Sequence, residues 1–240
     1  MQGVKSDHPP GAIIMVTGDI VRYAVSMQSL SHLKVPPNSA NIWFTGVLIS
    51  KSINMAFQQI MDNPSLQWGW IMGDDHTYDP DVLLRLLDSN VDVVAPLCLN
   101  RLPPLDPTII EHNESGGGRM KYLEDLPMDG LYRLKDNETC GDAGLLIRRH
   151  VLEIIGSPWY DHRKTGGASD ADDQSFIQKV KRSGFDVHVN LDVRIGHVGH
   201  VVYTPVQKDG KWQVEMMGGG RIPLAIGTHA SRGKEDWQIP

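Results

Sequence analysis

A chain of 240 residues with 40% hydrophobic and 22% charged residues carries enough apolar material for a substantial core, which excludes a disordered or collagen-like state. No apolar run approaches the roughly 20 residues that a bilayer crossing needs. The net charge of −6 and a pI of about 5.9 argue against a surface dominated by nucleic-acid binding.

The N-terminal apolar stretch, residues 11–16, is short and ends at Thr17-Gly18-Asp19. It reads as a first strand and not as a leader, so a cytoplasmic protein is expected. A helix follows over residues 20–33, with Asp19 placed to cap it. Residues 41–45 read as a second strand, and Ser50 or Ser52 is placed to cap a helix through Met61. Residues 68–72, Trp-Gly-Trp-Ile-Met, form a third buried strand. Asp79-Pro80-Asp81 then opens a helix over 82–87, with proline in its first turn. Residues 91–96 read as a fourth strand. Strands alternating with helices predict an α/β fold with a mostly parallel sheet.

Beyond this point the pattern loosens. Residues 102–142 hold several prolines and Gly116-Gly117-Gly118, and read as loops with small antiparallel strands. Helical spacing returns at 149–155 and 172–183, and strands are expected at 187–189 and 192–195. Lys208-Asp209-Gly210-Lys211 signals a hairpin. The expected division is a nucleotide-binding domain over 1–200, with a C-terminal hairpin and tail over 201–240. Cys98 and Cys140 are far apart and lack CxxC spacing, which suits a reducing compartment. Basic residues gather at Arg148, Arg149, Arg163, Lys164, Lys179, Lys181 and Arg182, either as solvated helix faces or as a patch for DNA.

The sharpest chemical feature is Gly73-Asp74-Asp75-His76 directly after the third strand. Adjacent carboxylates at the end of a buried strand raise each other's pKa unless a cation or donors offset them. Open α/β sheets bind ligands at that edge. Carboxylate and imidazole suit Mn²⁺ or Mg²⁺ bridging a diphosphate. Asp79 and Asp81 read as helix-capping residues.

The segment resembles the acidic motif of GT-A fold glycosyltransferases, especially the family 2-like group, in which a strand runs into Asp-x-Asp and then into a proline and a helix. Alignment on Pro80-Asp81 leaves Gly73 where the first aspartate stands. Alignment on the acids gives Asp74-Asp75-His76, an Asp-x-His form. The resemblance implies that Thr17, Gly18 and Asn54 flank the nucleotide, although Ile53 stands where arginine is common. It implies that Gly141–Arg149, through Gly144, runs along the donor sugar together with Asp74 and Asp75. Trp159 either stacks on a sugar or packs in the core. Residues 169–176 resemble the Glu-Asp-x-x-Phe signature, with Asp172 in place of glutamate and Asp173 as the base of an inverting enzyme. Residues 193–200 resemble the late histidine segment, so Asp75, His76, His197 and His200 are the implied metal ligands.

The implied function is transfer of a sugar from a nucleotide-diphosphate donor, most simply a UDP-sugar, to an acceptor hydroxyl. The acceptor could be a glycan, a small molecule or a hydroxymethylated DNA base, and inversion and retention both remain open. A non-catalytic nucleotide-sugar-binding module and a nucleotidyltransferase are the alternatives. The second would normally carry a glycine-rich basic loop after the first strand, which Thr17-Gly18-Asp19-Ile20 lacks.

Overall fold

The computed structural model describes residues 1–3, 5–17, 23–45, 48–101, 105–114, 117–161, 172–199, 202–216 and 221–223. Its centre is a seven-stranded sheet. In chain order the strands are β1 (Ala12–Thr17), β2 (Ala40–Thr45), β3 (Trp68–Met72), β4 (Val93–Leu97), β5 (Leu131–Arg133), β6 (Leu146–Arg148) and β7 (Val187–Arg194). Across the sheet they run β5-β7-β4-β6-β3-β1-β2. Strands β1, β2, β3, β4 and β7 are mutually parallel, while β5 and β6 run against them.

Alternation along the strands divides the core into two layers. Ala12, Ile14, Ile71 and Val93 face one side, and Ile13, Met15, Trp68, Trp70, Met72 and Val94 face the other. Helices cover both faces. Helix α1 (Ala24–Ser31) and α3 (Val82–Asp88) lie on the tryptophan side. Helices α2 (Ile49–Asp62), α4 (Arg149–Ile155) and α5 (Asp172–Arg182) lie on the opposite side. In α2 the buried residues Ile53, Ala56, Phe57 and Ile60 repeat at the spacing of a single helix face. Full burial of Ile53, Phe57 or Ile60 contributes about 1.5–3 kcal/mol each before entropy is counted.

Several boundaries differ from those expected. Helix α1 begins at Ala24, and Asp19 lies outside the described residues. Ser50 and Ser52 sit inside α2, not before it, because the Ser52 N–H already donates to the Leu48 carbonyl. The two strands expected over 187–195 are one strand, β7, whose register on β4 shifts between Asn190 and Arg194. Residues 146–148, for which no strand was expected, form β6 in the middle of the sheet and run directly into α4.

The basic cluster is largely consumed internally. Arg149 clamps the last carbonyls of α2 at Ile60, Met61 and Asn63, where a cation also meets the negative end of the helix. Arg148 donates to the Leu87 carbonyl, Lys179 to Pro158, and Lys181 to Lys135, Asp136 and Glu138. Arg182 bonds Gln178. Arg163 and Lys164 lie outside the described residues.

Beside a two-stranded parallel pairing of Gln2–Gly3 with Lys34–Val35, two smaller sheets complete the structure. One pairs Glu138–Cys140, Ile109–His112 and Gly118–Met120. The other orders Arg221–Pro223, Lys211–Met216, Val202–Lys208, Gly196–Val198 and His76–Thr77. Its hairpin turns at Asp209 and Gly210, both with positive φ. Among the described residues no helix is long and apolar enough to cross a membrane.

A buried ion pair ties the first small sheet together. Glu138 has no exposed surface, and it accepts from Lys121 at 2.8 Å, from the Tyr132 hydroxyl and from the Lys135 N–H. Burial pushes the Glu138 carboxyl up, but these donors outweigh it and hold it below its ordinary 4.5. Burial pushes Lys121 down, but Glu138 outweighs that and raises it above 10.5. The pair therefore stabilises the fold fully between those values and is lost as acid protonates Glu138 or alkali discharges Lys121. Glu138→Gln leaves Lys121 charged without a partner ion and is expected to cost about 3–5 kcal/mol. Urea unfolding across pH checks this: the variant should lose part of the wild-type decline below pH 4.5, and an unchanged acid limb would refute it.

Candidate functional site

Strand β3 ends at Met72, and the chain turns through Gly73-Asp74-Asp75 into the short strand His76–Thr77. That strand pairs antiparallel with Gly196–Val198, so that His197 lies directly opposite His76. The two imidazoles stack, with centroids 4.1 Å apart and planes 21° from parallel. The Val198 N–H donates to the Asp75 carbonyl at 2.7 Å, and the Ile195 N–H donates to Leu97 at the end of β4. These bonds hold the late histidine segment across the mouth of the sheet.

Asp75 bridges one edge nitrogen of each ring. One carboxylate oxygen is 2.8 Å from His76 Nδ1. The other is 3.2 Å from His197 Nε2 and 3.0 Å from an Arg101 nitrogen. Burial pushes this carboxyl up, but the contacts with His197 and His76 outweigh it and hold it well below the usual carboxylate range. Burial holds His76 below its ordinary value, despite the adjacent carboxylate. His76 is 4% exposed, and neither of its nitrogens has a partner in hydrogen-bonding geometry; the Asp75 contact is short but off-angle. His197 Nδ1 lies 2.8 Å from the Leu99 carbonyl, which fixes that nitrogen as a donor; Nε2 donates to Asp75 when the ring is protonated and is an acceptor when the ring is neutral. An acceptor nitrogen and a carboxylate oxygen at 3.2 Å repel unless a proton or a cation lies between them.

Gly73 is required by this packing. A Cβ there would sit 2.2 Å from His76 Nδ1. A side chain at 73 and an inward His76 exclude one another. Tyr78 closes the turn by donating to the Gly73 carbonyl at 3.0 Å while packing edge-on against Trp70.

The second acidic position lies at the start of α5. Asp173 Oδ1 accepts from the Gln174 N–H, and a methyl group built on Gly141 would sit 3.7 Å from its Oδ2. The Gly141 N–H donates to Thr108, and the Thr108 N–H donates to Cys98. This backbone ladder connects the Asp173 region with the histidine pair. Phe176 seats the helix by stacking on buried Tyr160 at 4.5 Å and packing against Phe57. The Tyr160 hydroxyl donates to Asp142.

Other expected site residues are placed as follows. Thr17 is buried at the end of β1, in register with Thr45. Gly144 has φ +78°, and a Cβ there would meet Pro96 at 2.5 Å, so its backbone runs hard against the sheet end. Asn54 is a brace: its oxygen accepts from the Trp159 and Tyr160 N–H groups, and its nitrogen donates to the Tyr160 carbonyl. Trp159 is 3% exposed, edge-on to Phe57, and its indole N–H donates to Leu152. Of its two readings the structure shows the core one, since no face is open for a sugar. Asp74 sits half-buried in the turn. Gly18, His200 and the side chain of Asp172 lie outside the described residues. Sequence reasoning missed Arg101 and Cys98. Neither lies in a motif, and only the fold brings them to Asp75 and the histidines.

No protein-family model and no curated protein matches the chain. Solved structures do. A197 from STIV superposes with a TM-score of 0.52 at 10% identity, covering 89% of this chain and 93% of that one. GalNAc-T7, solved with UDP, GalNAc and Mn²⁺, superposes with a TM-score of 0.52 at 9% identity. That match covers 85% of this chain but only 45% of GalNAc-T7. The chain has the GT-A fold.

Gly73→Ala is expected to push the His76 ring off His197 and to destabilise the fold by about 1–3 kcal/mol. Histidine ring proton shifts, read by NMR beside a thermal melt, check this. Unmoved His76 and His197 resonances would refute it.

Proposed function

We propose that this chain is a glycosyltransferase that takes a sugar from a nucleotide-diphosphate donor to an acceptor hydroxyl, with a divalent ion, Mn²⁺ or Mg²⁺, as cofactor. The observation that carries the reading is the His76–His197 cross-strand pair spanned by Asp75, at the ligand-binding edge of a GT-A sheet. GalNAc-T7, which shares the fold, was solved with UDP, GalNAc and Mn²⁺. The donor set suits a cation: the buried His76 Nε2 has no hydrogen-bond partner, and the Asp75 carboxylate faces His76 Nδ1 and His197 Nε2 within 3.2 Å.

In this reading Asp75, His76 and His197 hold the ion, with Asp74 beside them. When bound, the ion supplies Lewis-acid stabilisation of the charge that builds on the departing diphosphate. The chain's own residues do the rest. The Leu99 carbonyl orients His197, and Gly73 leaves room for His76. Arg101 donates to Asp75 at 3.0 Å and places positive charge at the mouth of the site. Gly144 lets the backbone lie close to the sheet end, where the donor sugar is expected. Asp173, carried on a helix fixed by Phe176, draws the proton from the acceptor hydroxyl as it attacks the anomeric carbon in line. Positioning and charge stabilisation supply most of the rate. Thr17 lines the nucleotide end, and Asn54 acts there only through the turn that it braces.

Incubation with UDP-, GDP- and TDP-sugars and a panel of divalent ions tests the reading. Asp75→Ala is expected to abolish turnover and ion-dependent donor binding while the fold survives. Asp173→Asn is expected to lower turnover about 10²- to 10⁴-fold with donor affinity within about two-fold of wild type. Equal loss of both for Asp173→Asn would make that residue structural. Tight ion-dependent donor binding without transfer or hydrolysis for any donor would leave a binding module.

A further inference from the structure

We propose that the Cys98 thiolate is a ligand of the ion held by His76 and His197, so that the centre is a nitrogen–sulfur site favouring Zn²⁺ or Co²⁺ over Mg²⁺ and Mn²⁺. The proposal rests on the reading above only in placing a cation at the histidine pair, and it puts Zn²⁺ or Co²⁺ there in place of Mn²⁺ or Mg²⁺.

Three observations carry it. The sulfur of Cys98 and one nitrogen from each of His76 and His197 all lie within 4.8 Å of one another. Small shifts of three side chains bring atoms at that spacing onto one ion. His76 is buried; its Nε2 has no hydrogen-bond partner, and its Nδ1 meets only the Asp75 carboxylate at 2.8 Å. A neutral imidazole left so pays a desolvation cost that ligation removes. Cys98 is 2% exposed, and its S–H reaches only the carbonyl of the next residue, Leu99, at 3.4 Å.

The backbone fixes the spacing. Ile195 donates to Leu97, and His197 lies against the Leu99 carbonyl, so residues 97–99 and 195–197 run side by side with Cys98 at the centre. The surroundings are apolar: Met72, Tyr78, Val193 and Ile195 belong to the same buried cluster. A thiolate is soft and binds Zn²⁺ or Co²⁺ well and Mg²⁺ poorly, whereas an all-oxygen set would do the reverse. On binding, the Cys98 S–H bond breaks, the sulfur–metal bond forms from the sulfur lone pair, and the proton leaves to solvent. No oxidant or reductant is involved.

Two measurements on the full chain test this. The first is Co²⁺ titration followed by absorption, comparing wild type with Cys98→Ser and Cys140→Ser, the latter a second buried free cysteine. A near-ultraviolet sulfur-to-cobalt band is expected in wild type and Cys140→Ser. It should vanish in Cys98→Ser, with cobalt affinity weakened at least about ten-fold. The second needs no variant: zinc-edge X-ray absorption of wild type should show one sulfur at about 2.3 Å beside nitrogen or oxygen at about 2.0–2.1 Å. Cobalt bound without the sulfur band, or a zinc shell of nitrogen and oxygen alone, overturns the role of Cys98 and leaves the histidine site standing. Binding of neither ion by wild type overturns both the cysteine ligand and the cation at the histidine pair.

Discussion

The structure depends on one cross-strand register. Pairing His76 with His197 stitches a strand that leaves the third strand of the main sheet to a strand that arrives from its far side. A slip of one residue would turn both imidazoles away from each other, because side chains alternate along a strand. The bonds from Val198 to Asp75 and from Ile195 to Leu97 lock that register from both ends. Burial then makes the arrangement electrostatically demanding. A carboxylate and two imidazoles in a half-dry crevice favour the ionised acid and a neutral His76, the protonation states in which each offers a lone pair.

The acid on the fifth helix is held by different means. Its position follows from aromatic packing: Phe176 on Tyr160 and Phe57, with the Asn54 carboxamide gripping the backbone of Trp159 and Tyr160. The two halves of the site are thus separately built and joined by the Cys98–Thr108–Gly141 ladder. One half is set by strand register and the other by core packing.

Much of the parallel core was legible. The buried runs at 68–72 and 93–97 and the amphipathic helices at 49–62 and 82–88 have clear periodicity, and the hairpin at 208–211 carries its own turn chemistry. The sixth strand was hidden because three residues after a glycine turn give no period, and their place is decided by a gap in the sheet. Of the proposed site, Asp75, His76 and His197 were the residues that motif order suggested. Cys98 and Arg101 were not, since their relation to the motif exists only after folding. Asn54 and Trp159 show the converse: a residue type suited to ligands is used here for internal bracing. The basic cluster likewise turned inward, with Arg148, Arg149, Lys179 and Lys181 spent on carbonyls.

The antiparallel strand Leu146–Arg148, wedged between two strands that precede it by dozens of residues, sets the order of assembly. Until it arrives, Trp68–Met72 and Val93–Leu97 have no partner on their facing edges. A nascent chain emerging N-terminus first would display two unsatisfied apolar edges, of the kind that invite association with other chains. Closure waits on contacts distant in sequence, which slow folding topologies share. The Gly73–Asp75 turn, directly downstream of one of those edges, is therefore among the last regions to become rigid.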